Sequence, residues 1–127
     1  MGMNLAPSFL SDRFAAVATP LYEASCRPNV TPTEQESIHA EMLRIPRPKL
    51  ESIAAHVCHA IQVGGEDCVG FGGDLDGIEL TPDGLAGIAD YVKFLPLLHD
   101  AGLSYRQIEK VCYGNFLRVY SELLPVS

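Results

Sequence analysis

Residues 67–77 read DCVGFGGDLDG, a short apolar run followed by two carboxylates that stand between glycines. The run is uninterrupted rather than alternating, which is typical of a strand covered on both faces in a parallel sheet. In parallel α/β folds, ligands and catalytic groups gather where the strands end. The stretch therefore predicts a buried strand, with Asp74 and Asp76 at its end as candidate functional residues.

The segment before this strand predicts an amphipathic helix that ends at Gly64-Gly65. Its apolar residues follow the i, i+3, i+4, i+7 and i+11 spacing of one buried stripe: Leu50, Ile53, Ala54, Val57 and Ile61. A helix followed by a buried strand is half of a β/α repeat.

Upstream, Met1 to Leu5 has the composition of a first strand, and Phe9 to Tyr22 is expected to be mixed loop with a possible short helix. The segment Thr31-Pro32-Thr33-Glu34 indicates the start of a helix more clearly than the segment before it does. It combines an N-cap threonine, a proline at the first helical position and a glutamate placed to close a capping box. A helix to about Arg44 is predicted.

Downstream of the buried strand, three further helices are predicted. One begins at Thr81-Pro82-Asp83 and is divided by Pro96 before it continues to Gly102. Ser104 and Gln107 form a second capping box, which opens a helix to about Cys112. Gly114-Asn115 is expected to cap a last helix, whose apolar side chains should mostly face the core.

Composition excludes several classes of function. The formal charge is −7 and the nine basic residues are scattered, so nucleic acid is not an expected partner. No apolar run approaches the roughly 18 residues that span a bilayer. The four cysteines form no C-x-x-C pair, which argues against a zinc ribbon or a redox motif and favours a reduced, cytoplasmic compartment.

Two buried parallel strands cannot form a complete fold, because their outer edges stay unpaired and they offer too little surface to so many amphipathic helices. A (β/α)₈ barrel takes about 250 residues, and this chain has 127. The predicted fold class is therefore α/β, as the C-terminal portion of a TIM-type barrel that is incomplete in this chain.

Three interpretations of the acidic loop stay open on spacing alone. Asp-Gly is a common turn dipeptide, so the loop could be a plain βα turn. A calcium loop would place Asp74, Asp76 and Asp83 at positions three, five and twelve, but it lacks the aspartate at position one and the bidentate glutamate. Catalysis is the third. His56 and His59 share a helix face but lack the glutamate of H-E-x-x-H, which favours solvated histidines.

The residues also carry a likeness to a known family. The run Val69 to Gly77 resembles the G-x-G-S/G-D-F-D-G signature of the membrane (renal) dipeptidase family of zinc peptidases, with Leu75 in place of the usual phenylalanine. His56 to Ile61 is similar to the family's H-x-x-H-I helix. Met1 to Leu10 is similar to the family's seventh barrel strand, although Leu5-Ala6 replace an aromatic pair there.

This resemblance implies zinc-dependent hydrolysis of dipeptides on a (β/α)₈ barrel with two zinc ions. Asp74 matches the catalytic aspartate of the eighth strand, where it would move a proton from water to the leaving amine and bind the substrate's ammonium group. Asn4 and Asp76 are expected to contact substrate, and Asp76 is also expected to stiffen the loop through its backbone hydrogen bonds. The zinc ligands of the family lie on earlier strands, so no metal ligand is assigned in this chain, which is expected to be inactive alone.

The expected organisation is one C-terminal unit over residues 1–127. Residues 1–10 would be the seventh strand and its turn, 11–47 a connecting loop and helix, and 48–127 a helix, the eighth strand and the C-terminal helices. A homodimer is possible. The alternative function is a non-catalytic binding module whose acidic loop could hold calcium.

Overall fold

The computed structural model describes residues 1–124 and consists of helices packed on a pair of short parallel strands. The strands are β1 (Gly2–Asn4) and β2 (Gly70–Gly73). The helices are α1 (Pro7–Leu10), α2 (Asp12–Ser25), α3 (Pro32–Met42), α4 (Leu50–Gly64), a 3₁₀ helix (Ile88–Lys93), α5 (Phe94–Asp100), α6 (Tyr105–Glu109), a π-helical turn (Lys110–Gly114) and α7 (Asn115–Leu123). The chain is thus of mixed helix and strand with one parallel pair, which is compatible with the predicted α/β class.

Both predicted strands are present, and they are neighbours. Gly2 pairs with Gly70, Met3 with Phe71 and Asn4 with Gly73, so the register shifts between Met3 and Asn4 and leaves Gly72 of β2 as the extra residue. A parallel pair needs a long crossover connection, which here contains α1 to α4. The expected burial of β2 on both faces is only partly present, because Gly72 is exposed and Phe71 half-buried. A sheet of only two strands leaves part of its two faces exposed to solvent.

Helix α4 confirms the predicted stripe and supplies one wall of the main core. Leu50, Ile53, Ala54 and Val57 are buried, and Ile61 packs on the same cluster from a half-buried position. The helix ends at Gly64, and Gly65 adopts a φ of 81°. Full burial of an aliphatic side chain contributes about 1.5–3 kcal/mol, so this stripe is a main source of the stability of α4 against the core.

The expectation of mixed loop over Phe9 to Tyr22 is wrong, because α1 and α2 cover nearly all of this segment. Ser11 caps α2 by accepting a hydrogen bond from the Phe14 backbone amide at 3.3 Å. Pro20 lies inside α2, where it removes one backbone hydrogen bond. Phe14 and Ala18 nevertheless pack with Met42 and Leu80 in a second core, and this packing outweighs the local cost of the proline.

Helix α3 confirms the predicted start but ends slightly early, at Met42 rather than Arg44. The capping box is complete, since Thr31 accepts from the Glu34 amide and the Glu34 carboxylate accepts from the Thr31 amide at 2.8 Å. The hydrogen bonds from Thr31 lower the pKa of the Glu34 carboxyl. Local chemistry alone therefore locates this helix N-terminus.

The predicted helix from Thr81 is wrong at its start. Asp83 instead forms a bridge with Lys49, and its amide donates to the Pro48 carbonyl at 2.8 Å. Gly84 then adopts a φ of 91°, which no helix contains. Pro96 lies in the first turn of α5, where backbone amides have no partner within the helix. Pro96 is thus the third residue of α5, which begins at Phe94, and it does not divide that helix.

The predicted break at Gly114-Asn115 is also wrong, because α6, the π-helical turn and α7 run on without interruption. Gly114 has helical angles, φ −60° and ψ −40°. The buried Asn115 is not a cap. Its side-chain amide donates to the carbonyl oxygens of Glu66 at 2.9 Å and Val69 at 2.8 Å, so it ties this helix to the segment that enters β2.

The expectation that the last helix faces the core is contradicted for most of its apolar residues. Leu117, Tyr120 and Leu123 are 60%, 56% and 73% exposed, and Leu124 just beyond α7 is 62% exposed. Phe116 is half-buried over the glycines of the strands. Within residues 1–124 no element covers the outer stripe of α7. Residues 125–127, the end of the expected C-terminal unit, lie outside the described residues.

Lys110 reinforces the same junction by donating to Glu66 and Asp67, each at 2.6 Å. The hydrogen bond from Lys110 lowers the pKa of the Asp67 carboxyl. Because this pKa is lowered on folding, the pair's stabilisation is present above the ordinary aspartate pKa and is lost as pH falls through the lowered value. We expect Lys110→Met to raise the Asp67 pKa toward its ordinary value.

The measurement is a titration of the Asp67 carboxyl carbon by NMR in both proteins. Lys93→Met is the matched control, since Lys93 pairs with Asp90 at 2.7 Å and not with Asp67. An Asp67 pKa that is the same with and without Lys110 would show that this ammonium group does not govern the carboxyl.

Candidate functional site

The site lies where the two parallel strands end. Asn4 is the last residue of β1, and Asp74 directly follows β2. The Asn4 side-chain amide donates to Oδ2 of Asp74 at 2.7 Å, and its own Oδ1 accepts from the Ala6 backbone amide at 2.8 Å. Both ends of the Asn4 amide are therefore used, and its orientation and that of the carboxylate are set together.

The backbone at Asp74 is strained in a way that aims its side chain. Asp74 has a φ of +59°, the only positive φ of a non-glycine residue within residues 1–124. Its amide donates to the Gly72 carbonyl at 2.8 Å across Gly73, whose φ is +70°. A left-handed non-glycine residue costs about 1–2 kcal/mol, and such strain is characteristic of functional sites.

Two glycines leave the space that this conformation needs. A Cβ atom on Gly73 would lie 2.3 Å from the Tyr91 hydroxyl oxygen, and one on Gly77 would lie 2.3 Å from Oδ1 of Asp74. Tyr91 belongs to a ring cluster with Phe71 and Phe94, and burial raises the pKa of its hydroxyl. A side chain at either position would displace the Tyr91 hydroxyl or the Asp74 carboxylate, and Gly73 is in addition held at a positive φ.

A cavity of about 420 Å³ opens beside Asn4 and Asp74, a size ordinary for small-molecule sites. Its charged side chains within the described residues are Asp74 and Glu79. The rest of the lining is mostly apolar and comes from α1, α2, the end of α3 and the loop after Asp76, principally Phe9, Phe14, Ala18, Met42, Ile78 and Leu80. The walls contributed by α2 were missed from sequence because α2 was not predicted, although Ser11 followed by Asp12 is a helix-start signal.

The structure separates the other candidate residues from this cavity. Asp76 is exposed in the turn and does not line the described wall of the cavity. His56 and His59 lie exposed on α4, and the His56 ring bonds the Ser52 carbonyl at 2.7 Å. Asp83 lies at the bridge to Lys49.

No three histidine, cysteine, aspartate or glutamate side chains within residues 1–124 form a group that could hold a metal ion. The described residues therefore fit neither a calcium loop nor a zinc centre. A helix long and apolar enough to cross a bilayer is likewise not found in this part of the chain.

The arrangement can perform two kinds of chemistry. An exposed carboxylate whose second oxygen is held by an amide can take up and release a proton, or it can bind a cation such as an ammonium group. The apolar walls beside it can bind hydrocarbon at the same time. A ligand with a positive charge next to an apolar group would satisfy both features.

Comparison with known proteins relates this chain to dipeptidases. A stretch of 72 residues is 32% identical to an uncharacterized dipeptidase of Schizosaccharomyces pombe, covering 56% of this chain and 18% of that relative. The chain thus spans well under two thirds of the relative's length. The family model for membrane dipeptidases matches residues 1–126. Because this match covers nearly the whole sequence, the chain belongs to the membrane dipeptidase family, peptidase family M19.

Proposed function

We propose that this chain is the C-terminal portion of a zinc-dependent dipeptidase, in which Asp74 is a catalytic residue. The observation that carries the proposal is the carboxylate of Asp74, which follows the second parallel strand and is held at 2.7 Å by Asn4 from the first. Membership of a peptidase family supports hydrolysis of peptide bonds, and the dipeptidase name of the yeast relative supports a dipeptide substrate.

The zinc ions belong to the proposal through the family resemblance. Since no metal-binding group is present within residues 1–124, their ligands would come from polypeptide outside this part of the chain. The relative is several times longer than the matched stretch, which is consistent with ligands elsewhere. The chain alone, residues 1–127, is then expected to be inactive.

Asp74 would act on the proton that hydrolysis moves. A carboxylate at this place accepts the proton of the attacking water and donates it to the leaving amine, while the Asn4 amide keeps the carboxylate in one orientation. Before it takes up that proton, the same group is a negative carboxylate and can bind the substrate's ammonium. Asn4, the partner of Asp74, is proposed to contact substrate, whereas the contact expected for Asp76 stays a prediction, because Asp76 does not line the described cavity.

The incomplete barrel is proposed from surfaces that this chain leaves open. The described sheet has two strands, and the outer stripe of α7 carries Leu117, Tyr120 and Leu123 in exposed positions. Isolated two-stranded sheets are marginal, and exposed apolar stripes are typical of surfaces that another element covers. Further β/α units beside them would complete a (β/α)₈ barrel, with residues 1–127 as its single C-terminal unit.

Three other expectations stay predictions. A homodimer is not tested by a single chain. A cytoplasmic location is supported only by the four cysteines, all of them unpaired. The alternative of a non-catalytic binding module remains, although the described acidic loop does not assemble a calcium site.

The test begins with the coding DNA upstream of the Met1 codon. If that DNA extends the reading frame, the extended protein should release amino acids from dipeptides, lose this activity with a chelator and regain it with zinc. Residues 1–127 alone should show none. An extended protein that holds zinc and cleaves no dipeptide would overturn the proposal, as would the lack of any extension together with stoichiometric calcium binding by residues 1–127.

A further inference from the structure

The cavity beside Asp74 combines a negative end with apolar walls. Asp74 and Glu79 are the charged side chains of its described lining, and no lysine, arginine or histidine is among those lining residues. The chain as a whole carries a formal charge of −7. The electrostatics therefore favour a cation at this end of the cavity and disfavour a carboxylate there.

The walls are built by helices that carry large apolar side chains toward the opening. Phe9 from α1 is 68% exposed and Tyr22 from α2 is 52% exposed, although both line the cavity. Behind them, Phe14, Ala18 and Met42 form a packed floor with exposures of 4%, 4% and 6%. Exposed aromatic rings above a buried apolar floor are the usual construction of a pocket for an apolar group.

The position of Asp74 decides which part of a dipeptide would enter. In an amino-terminal residue, the ammonium nitrogen and the side chain are attached to the same carbon atom. When the ammonium contacts the Asp74 carboxylate, the first atom of that side chain lies two bonds from the ammonium nitrogen, beside the cavity that Asp74 lines. The side chain of the second residue is a peptide unit farther away.

We propose that the cavity formed by α1, α2 and the end of α3 is a specificity pocket for an apolar side chain on the substrate's amino-terminal residue. The inference rests on the proposed function for its substrate class. What it adds is a preference for apolar amino-terminal side chains. Phe9, Thr19 and Tyr22 at the opening and the buried floor beneath them set this preference. Glycine and acidic residues at the amino terminus are disfavoured.

The test uses amino-acid amides, which present an ammonium group and one side chain but need no hydrolysis. Leucinamide and glycinamide are titrated into residues 1–127 and followed by NMR, at a pH where both amines are charged. We expect leucinamide to bind at least about tenfold more tightly, because one aliphatic side chain is transferred from water into the pocket. Changed resonances should include those of Phe14, Ala18 and Met42.

Variants separate the pocket from the carboxylate. Thr19→Trp, at an exposed position of the lining, should fill the cavity and bring the ratio of the two affinities close to one, and Phe9→Ala should lower it. Val92→Ala is the matched control for Phe9→Ala, since Val92 is 67% exposed and is not among the lining residues. Asp74→Asn should weaken both amides equally and preserve the ratio. Native-like NMR spectra establish that each variant is folded.

The binding results test the specificity pocket, and the hydrolysis results test the proposed function, so the two proposals can fail separately. Equal affinities of the wild-type chain for the two amides, failure to bind either, or a preference that survives Thr19→Trp would overturn the specificity pocket. A clear preference in a protein whose extended form cleaves no dipeptide would overturn only the proposed hydrolysis. The pocket would then belong to a binding protein for apolar amines.

Discussion

Replacing Asp74 by asparagine in the extended zinc-loaded protein is expected to lower kcat for dipeptide hydrolysis by roughly 10²–10⁴-fold, the range that general acid–base groups contribute. Asparagine keeps the size of the side chain and a hydrogen-bonding oxygen, but it cannot take up the proton of water or return it to the amine. The zinc content should not change, because Asp74 is not proposed as a ligand. Steady-state kinetics and metal analysis of the same preparations test both points.

Asp83→Asn is the matched control for this prediction. It makes the same chemical change in an exposed aspartate, whose backbone amide bonds the Pro48 carbonyl at the start of α4 and which does not line the described cavity. Its kcat should stay within about twofold of the original. An Asp74→Asn protein with undiminished kcat would remove Asp74 from the catalytic machinery, whereas a matching loss of zinc would reassign it to metal binding.

Leu98→Ala is expected to lower the free energy of unfolding of this chain by about 3–5 kcal/mol. Leu98 is 0% exposed and belongs to the main core with Phe94 and Val57. Truncating such a leucine removes its transfer free energy and leaves a cavity that the neighbours fill only partly. The measurement is urea unfolding followed by circular dichroism, with all proteins at one concentration so that any self-association is shared.

Leu95→Ala makes the same substitution on the same helix, α5, three residues earlier. Leu95 is 44% exposed, and an exposed position loses little on truncation, so we expect a change below about 1 kcal/mol. Similar losses for the two variants would mean that α5 does not pack as described and that Leu98 is not part of a cooperative core.

The elements that sequence reasoning predicted well are those whose causes are local. The capping boxes at Thr31 and Ser104 were found at the predicted residues, because each is a set of hydrogen bonds between side chains and amides three residues apart. The apolar stripe of α4 follows from helical spacing alone. The strand before Asp74 was predicted from a run of apolar residues and glycines, and the structure has it at Gly70–Gly73.

The elements that sequence reasoning missed depend on contacts with residues that are distant in sequence. Helix α2 forms despite Pro20 because Phe14 and Ala18 pack against Met42 and Leu80. The sequence of the segment itself does not indicate that these two residues will be its neighbours. Residues around Asp83 pair with Lys49 instead of starting a helix. Asn115 looks like a cap from its glycine neighbour, but its amide bonds two carbonyl groups more than 40 residues away.

The candidate site likewise combines a feature with a local cause and features that depend on distant residues. Asp74 was identified from its place after an apolar run and from the family signature, both of which are properties of one continuous stretch. Its hydrogen bond with Asn4, 70 residues away, and the cavity between α2 and the loop around Glu79 arise when the chain folds back on itself. Short-range periodicity and capping determine where helices and strands begin. Which surfaces come into contact depends instead on the packing of apolar faces that are distant in sequence. For this reason the sequence pointed to the carboxylate, and the folded chain supplied its partner and its pocket.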